Sequence, residues 1–390
     1  MPFIIHMKQF RFFSFIIISV LLNGCTALFQ AQTSIQKATG QLPPRAYVID
    51  YPPNGDRIKP TLIPGGGMLT TNPNPWGVRY KDYVFTDFDI LTETYKKGAP
   101  THSGSSGNLI MDIFTPRSDA EKKRPCIVYV FGGGFYMKVD DCTTEICKGM
   151  VQKGYVVASI DYRIGFANAM LSPQCEGDFN TGFYPAVIRA VQDARSAVRF
   201  LKANAGRLGI DPDKIFIGGQ SAGAITSLGM ALYEDADVPE EVLKQVGGTL
   251  DPMKDNMEYS SKVAGVYSLA GAIFSEKIIV KKTNTPFLLI SGSCDELIDP
   301  VKAPAYKCKD RKTFPEIAGS GLVYEIMKNN NIMKFDYICG GGHGMGSVGF
   351  NKLLNLVSGF TYSVLQGKPV TGKEIIMADA PVCNRPETCK

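Results

Sequence analysis

Beyond residue 108 the apolar positions alternate between short continuous runs and longer stretches with helical spacing. Residues 109–114 read as a strand, 126–131 as a continuously apolar strand of the kind buried on both faces, and 156–160 as another. Residues 185–203 then place Val187, Ala190, Val191, Ala194, Ala197, Val198 and Leu201 on one helical face. Further strands are expected at 215–217, 263–269, 287–291 and 335–339, with helices at 222–232 and 322–328. Strands alternating with helices predict an α/β fold, a mostly parallel central sheet covered by helices on both faces. Residues 26–107 have a different texture, rich in Pro, Gly, Thr and Asn, and read as an N-terminal extension of loops with a few edge strands such as 83–86. The α/β domain is thus expected over 108–390. Two polar insertions, 165–181 and 234–259, are candidates for the walls or partial cap of a site at the strand C-termini, where ligands bind in such folds.

The N-terminus adds a compartment. Lys8 and Arg11 precede an apolar run at 12–22 that is short for a bilayer span and ends at Leu22-Asn23-Gly24-Cys25. This resembles a lipoprotein signal peptide over 1–24, with Met7 as an alternative start and Cys25 as the lipidated mature N-terminus. A plain secretory signal cut near Ala31 is the alternative. Either implies export, to the outer membrane or cell surface as a lipoprotein or to the periplasm or medium, with the membrane touched only through a lipid anchor. The net charge is +5, two units of which are Lys8 and Arg11, and the remaining Lys and Arg are scattered. No basic stripe with interleaved aromatics exists to support nucleic-acid binding. Ten cysteines suit an oxidising compartment. Cys142 with Cys147, Cys383 with Cys389, and Cys294 with Cys308 are expected as local pairs, and Cys126 and Cys339 as small buried hydrophobes. With only His6, His102 and His343 in the chain, no metal site is expected.

The chemistry concentrates at Gly219-Gln220-Ser221-Ala222-Gly223, a Gly-x-Ser-x-Gly between an expected strand and an expected buried helix. In that context the motif describes a tight strand-to-helix turn that lifts a serine out of the sheet, with the helix N-terminus facing any negative charge formed there. A serine nucleophile needs a base, and the base needs an acid to fix its tautomer. His6 lies in the signal and His102 before the first core strand, which leaves His343, in a glycine loop after the last apolar strand, as the base. Asp295, just past the strand at 287–291, is the expected acid; Asp299 competes, with capping of the following turn as its other role. Gly132-Gly133-Gly134, after the strand at 126–131, leaves backbone N–H groups free to approach a carbonyl oxygen, with Ala222 N–H as a further donor.

These residues, together with Asp161-Tyr162-Arg163, Gln192-Asp193-Ala194-Arg195 and Gly209-Ile210-Asp211-Pro212-Asp213-Lys214, resemble those of bacterial carboxylesterases of the α/β-hydrolase fold, close to the type-B and polysaccharide-esterase branches. The resemblance covers roughly 108–360. It implies a serine esterase that needs no cofactor, with Ser221, His343 and Asp295 as triad and Gly133, Gly134 and Ala222 as oxyanion hole. The expected substrate is a small-molecule or polysaccharide-linked ester: a surface lipoprotein esterase suggests acetyl or feruloyl groups on polysaccharides, with short acyl esters or synthetic polyesters as alternatives. Two positions depart from the pattern. Phe131 replaces the histidine that braces the glycine loop in many relatives, and Gln220 stands where type-B members often carry Glu. Arg163 with Asp193 is expected as a structural ion pair, Asp161 as a turn cap, and Phe135, Tyr136 and Tyr162 as pocket lining or packing. A peptidase on the same fold and a non-catalytic surface binding protein are the alternative functions.

Overall fold

The computed structural model describes residues 77–389 apart from 101–105, 137, 139–140, 166–178, 253–254, 275, 305–314, 344–345 and 385–388. The expectations for the signal, Cys25 and most of the 165–181 insertion lie outside the described residues.

Twelve strands are described: β1 Phe88–Pro100, β2 Ser106–Pro116, β3 Arg124–Val130, β4 Val156–Ile160, β5 Ile210–Gln220, β6 Gly265–Leu269, β7 Ala272–Ile273, β8 Phe287–Gly292, β9 Lys302–Pro304, β10 Glu316–Gly319, β11 Met333–Cys339 and β12 Gly372–Met377. Nine form one sheet in the order β1-β2-β4-β3-β5-β6-β8-β11-β12, and β7, β10 and β9 form a small second sheet. β1 and β2 pair antiparallel, β2 joins β4 antiparallel, and every later pair in the large sheet is parallel. The central strands β3, β4, β6 and β8 are buried at every position. Burial on both faces explains why they carry mostly apolar runs without regular polar alternation.

Five helices of eight residues or more are described: α1 Asp141–Gln152, α2 Tyr184–Ala203, α3 Ala222–Leu232, α4 Ser320–Met327 and α5 Phe350–Leu365. The parallel order reverses at β3, which lies between β4 and β5. The chain leaves β3 to one side and returns on the other, so the loops after β3 and β5 face a crevice at the strand C-termini. The glycine loop follows β3 and Ser221 follows β5.

Two local expectations change. Residues 83–86 are not a strand; the edge strand is β1, further along. The 234–259 insertion holds a 3-10 turn, Asp235–Asp237, and a short helix, Glu240–Gln245. It is anchored to α2 through Gln192 Nε2, which donates to the carbonyls of Val246 (2.9 Å) and Thr249 (2.7 Å), and through Arg195 and Arg199 on Asp251.

The cysteines pair differently from the local scheme. Cys294 is joined to Cys383 and Cys339 to Cys389, while Cys147 is a free buried thiol and so has no bond to Cys142. Proximity in sequence misled because β8, β11 and the segment after β12 are neighbours only through the sheet. Cys126 is buried and free, as a small hydrophobe in β3.

Candidate active site

Ser221 sits between β5 and α3 with φ 56° and ψ −120°, a conformation that L-residues adopt only when the surroundings enforce it. Close packing does the enforcing. A Cβ on Gly219 would lie 2.1 Å from the Val130 carbonyl oxygen, and one on Gly223 would lie 2.0 Å from the same atom. The two flanking positions of the motif are therefore glycine because the turn is pressed against the end of β3. The Ser221 N–H donates to the Leu269 carbonyl at the end of β6 (2.8 Å), which ties the elbow to the sheet on its other side.

His343 and Asp295 come to the same place from β11 and β8. Ser221 Oγ lies 2.8 Å from His343 Nε2, and His343 Nδ1 lies 2.9 Å from Asp295 Oδ1 and 2.8 Å from Oδ2. Asp295 Oδ1 also accepts from the backbone N–H groups of Leu297 (2.9 Å) and Ile298 (2.8 Å). The buried carboxylate, with four lone-pair sites, accepts from these two N–H groups and faces the imidazole with both oxygens. The network assigns the histidine tautomer: Nδ1–H donates to Asp295, and Nε2 accepts the Ser221 hydroxyl proton. Asp299 does not join this chain; its Oδ1 accepts from Val301 N–H at 2.8 Å, the capping role.

The glycine loop lies against the elbow. Gly133 (φ 124°) and Gly134 (φ 61°) are buried and take backbone angles open to glycine, and a Cβ at Gly132 would meet the Gln220 carbonyl at 3.1 Å and Ser221 Cβ at 3.5 Å. Among the described residues, the N–H groups of Gly133, Gly134 and Ala222 have no backbone acceptor. Free N–H groups beside a nucleophile are the geometry an oxyanion requires.

Phe131 braces this loop without the histidine. Its ring stacks on Tyr162 (centroids 4.2 Å, 19° between planes), and the Lys138 ammonium lies 5.4 Å over its centroid. Tyr162 OH donates to the Phe131 carbonyl at 3.1 Å, and Gly165 N–H donates to the Phe135 carbonyl at 2.6 Å. Tyr162 and Phe135 are thus packing residues, both buried. Asp161 is an ion-pair partner of Lys138 (2.8 Å) and not a turn cap, because the loop after β3 brings the ammonium to it. Arg163 and Asp193 do form a buried ion pair at 2.9 Å. Lys96 of β1 joins it at 2.8 Å, an addition that the expected pair alone did not reveal.

One contact was not foreseen from the sequence. Gln220 Nε2 donates to the His343 carbonyl at 3.3 Å, which ties the residue before the nucleophile to the backbone of the base. The departure from Glu at this position was the available signal, since only an amide can donate there.

Comparison with known proteins gives matches that include this part of the chain. The BD-FAE family model matches residues 111–273, the segment that carries the glycine loop and the elbow. Gut esterase 1 of Caenorhabditis briggsae is 30% identical over 175 residues, 41% of this chain and 28% of that protein. Fumonisin B1 esterase of Sphingopyxis macrogoltabida is 25% identical over 160 residues, 41% of this chain and 29% of that protein. The chain thus matches less than a third of the length of either relative. Among solved structures, esterase 2 of Thermogutta terrifontis phosphorylated by paraoxon superposes with a TM-score of 0.50 at 19% identity, covering 73% of this chain and 96% of that one. The form phosphoramylated by tabun gives 0.51 over 73% and 97%. The chain therefore has the α/β-hydrolase fold.

Proposed function

We propose that this protein is a serine esterase that hydrolyses carboxylic esters through an acyl-enzyme. The observation that carries the reading is the continuous hydrogen-bond chain from Ser221 Oγ through His343 to Asp295, beside loop N–H groups that have no backbone acceptor among the described residues. Ser221 Oγ attacks the ester carbonyl carbon as its proton passes to His343 Nε2. Asp295 stabilises the imidazolium and keeps Nε2 aimed at the serine. The carbonyl oxygen, now an oxyanion, lies against the N–H groups of Gly133, Gly134 and Ala222. His343 returns the proton to the leaving alcohol, then takes one from water, whose oxygen attacks the acyl carbon; as the acyl–Oγ bond breaks, that proton passes to Ser221 Oγ and the acid is released. Each step uses only this chain's own groups and water.

Export, with lipidation at Cys25, is part of the proposal. It is supported by the sequence around Cys25 and by the two disulfides among the described residues, which suit an oxidising compartment. Acetyl or feruloyl groups on polysaccharides are the proposed natural esters of an enzyme placed at a cell surface. The test is p-nitrophenyl acetate turnover by the wild type and by Ser221→Ala, followed by a panel of acetyl, butyryl and feruloyl esters. Turnover is expected in the wild type and lost in a folded Ser221→Ala variant; a variant that retains it would overturn the assignment.

A further inference from the structure

Past β12 the chain turns back across the two loops that hold the acid and the base. Cys294, immediately before Asp295, is joined to Cys383, and Cys339, the last residue of β11, is joined to Cys389. The Cα atoms are 6.0 and 5.7 Å apart and the sequence separations are 89 and 50, so each bond ties a remote segment to a residue beside the site. Backbone bonds continue the attachment. Ala378 N–H donates to the Cys339 carbonyl and Val382 N–H to the Gly340 carbonyl, both at 2.9 Å. Contact is tight, because a Cβ on Gly340 would lie 2.7 Å from Pro381 Cβ and one on Gly342 would lie 3.0 Å from Val382 Cγ2. Gly342 directly precedes His343.

The two loops beneath are joined to each other. Ser293 N–H donates to the Ile338 carbonyl (2.9 Å), Cys294 N–H to the Gly341 carbonyl (2.8 Å), and Gly340 N–H to Ser293 Oγ (2.9 Å). The result is three layers: the acid loop, the histidine loop, and residues 378–384 with Cys389 outside them. The outer residues from Pro381 to Asn384 are exposed while Asp295 and His343 are buried. His343 is carried on glycines, the residues with the most backbone freedom to lose, so a loop of this composition needs an external constraint to hold a 2.8 Å bond to serine.

We infer that residues 378–384, together with Cys389, are a disulfide-fixed brace that positions Asp295 and His343, so that turnover depends on both bonds being closed. The inference rests on the triad reading above. The four cysteines are positioning residues, acting through the acid and the base. Misplacement of a base by about 1 Å costs on the order of 100-fold in rate. Opening both bonds is therefore expected to lower kcat by about that factor, with KM unchanged, and opening one by about 10-fold.

The experiment uses the full chain with Cys383→Ser, Cys389→Ser and the double variant, which leave Cys294 and Cys339 in place. Three measurements are made on each: kcat and KM with p-nitrophenyl acetate, circular dichroism for the fold, and the downfield proton resonance of His343 Nδ1–H in its bond to Asp295. A folded variant with reduced kcat, unchanged KM and a broadened or lost resonance supports the brace. An unchanged kcat and resonance with only a lowered melting temperature would show a plain structural staple and overturn it. A raised KM with unchanged kcat would make the segment a substrate wall and overturn it too. If the double variant does not fold, Cys383→Ser decides by the same readings. Should the folded wild type hydrolyse no ester, the resonance still decides: its loss on opening the bonds keeps the brace while the esterase reading falls, and its persistence overturns the brace.

Discussion

Asp295→Asn changes one atom of the site and leaves its shape. Oδ1 is held by the N–H groups of Leu297 and Ile298 at 2.9 and 2.8 Å, so the side-chain amide keeps its oxygen on that side. Turning the amide over would face its NH2 toward two backbone donors and leave both without an acceptor, at about 1–3 kcal/mol each. The amide nitrogen therefore takes the place of Oδ2, the oxygen nearer His343 Nδ1 (2.8 Å, against 2.9 Å for Oδ1). It donates where the carboxylate accepted, which moves the imidazole proton to Nε2, and Nε2 then cannot take the serine proton. Loss of the correct tautomer in a triad lowers kcat by about 10,000-fold, roughly 5.5 kcal/mol of barrier. The assay is kcat on p-nitrophenyl acetate at neutral pH, with circular dichroism and melting to establish that the fold is kept. A fall of less than 10-fold in a folded variant would refute the roles given to Asp295 and to its two backbone donors.

Three further outcomes follow from particular contacts. Gly223→Ala places a methyl 2.0 Å from the Val130 carbonyl, whereas Gly206→Ala meets nothing within 4 Å. Thermal and denaturant melting should show the first destabilised by about 3 kcal/mol or more and the second unchanged within about 0.5 kcal/mol. Equal stabilities would show that the elbow is not pressed on β3. Gln220→Glu removes the donor to the His343 carbonyl and sets a carboxylate against that oxygen; kcat should drop about 3–10-fold, the scale of one hydrogen bond, and an unchanged kcat would remove Gln220 from the site. Burial alone would raise the Asp119 carboxyl, but hydrogen bonds from Arg79 and Arg124 outweigh it and pull it from 3.8 to about 2. A carboxyl depressed by folding stabilises fully above pH 4 and loses its contribution as pH falls toward 2. After screening by solvent this amounts to about 1 kcal/mol, so wild type and Asp119→Asn should differ in urea midpoint at pH 6 and converge near pH 2, and a constant difference across that range would sink the assignment.

The legible parts of this molecule were those whose cause is local. β4 and α3 fall at the residues where the apolar pattern set them, because a strand buried on both faces and a helix beginning at a glycine elbow each leave a continuous record. Ser221, Asp295 and His343 could be brought together from chain order and the scarcity of histidine, and the fold places them within hydrogen-bond distance. β1 was missed because Phe88–Pro100 is a half-exposed edge strand interrupted by Lys, Gly and Pro, with little alternation to read. The disulfides were misassigned because Cys294 and Cys383 meet only after β8, β11 and β12 have assembled in parallel. The brace under the glycine loop was equally hidden. The Phe131 ring owes its place to Tyr162, at the end of β4, and to Lys138 in the loop after β3, and neither contact has a periodicity.

The most direct test of the central claim is active-site labelling of the native chain with a fluorophosphonate, followed by peptide mapping. The account predicts one label per chain, on Ser221, absent from Ser221→Ala and slowed by orders of magnitude in His343→Ala. A folded native chain that takes no label, or takes it on another residue, would contradict it.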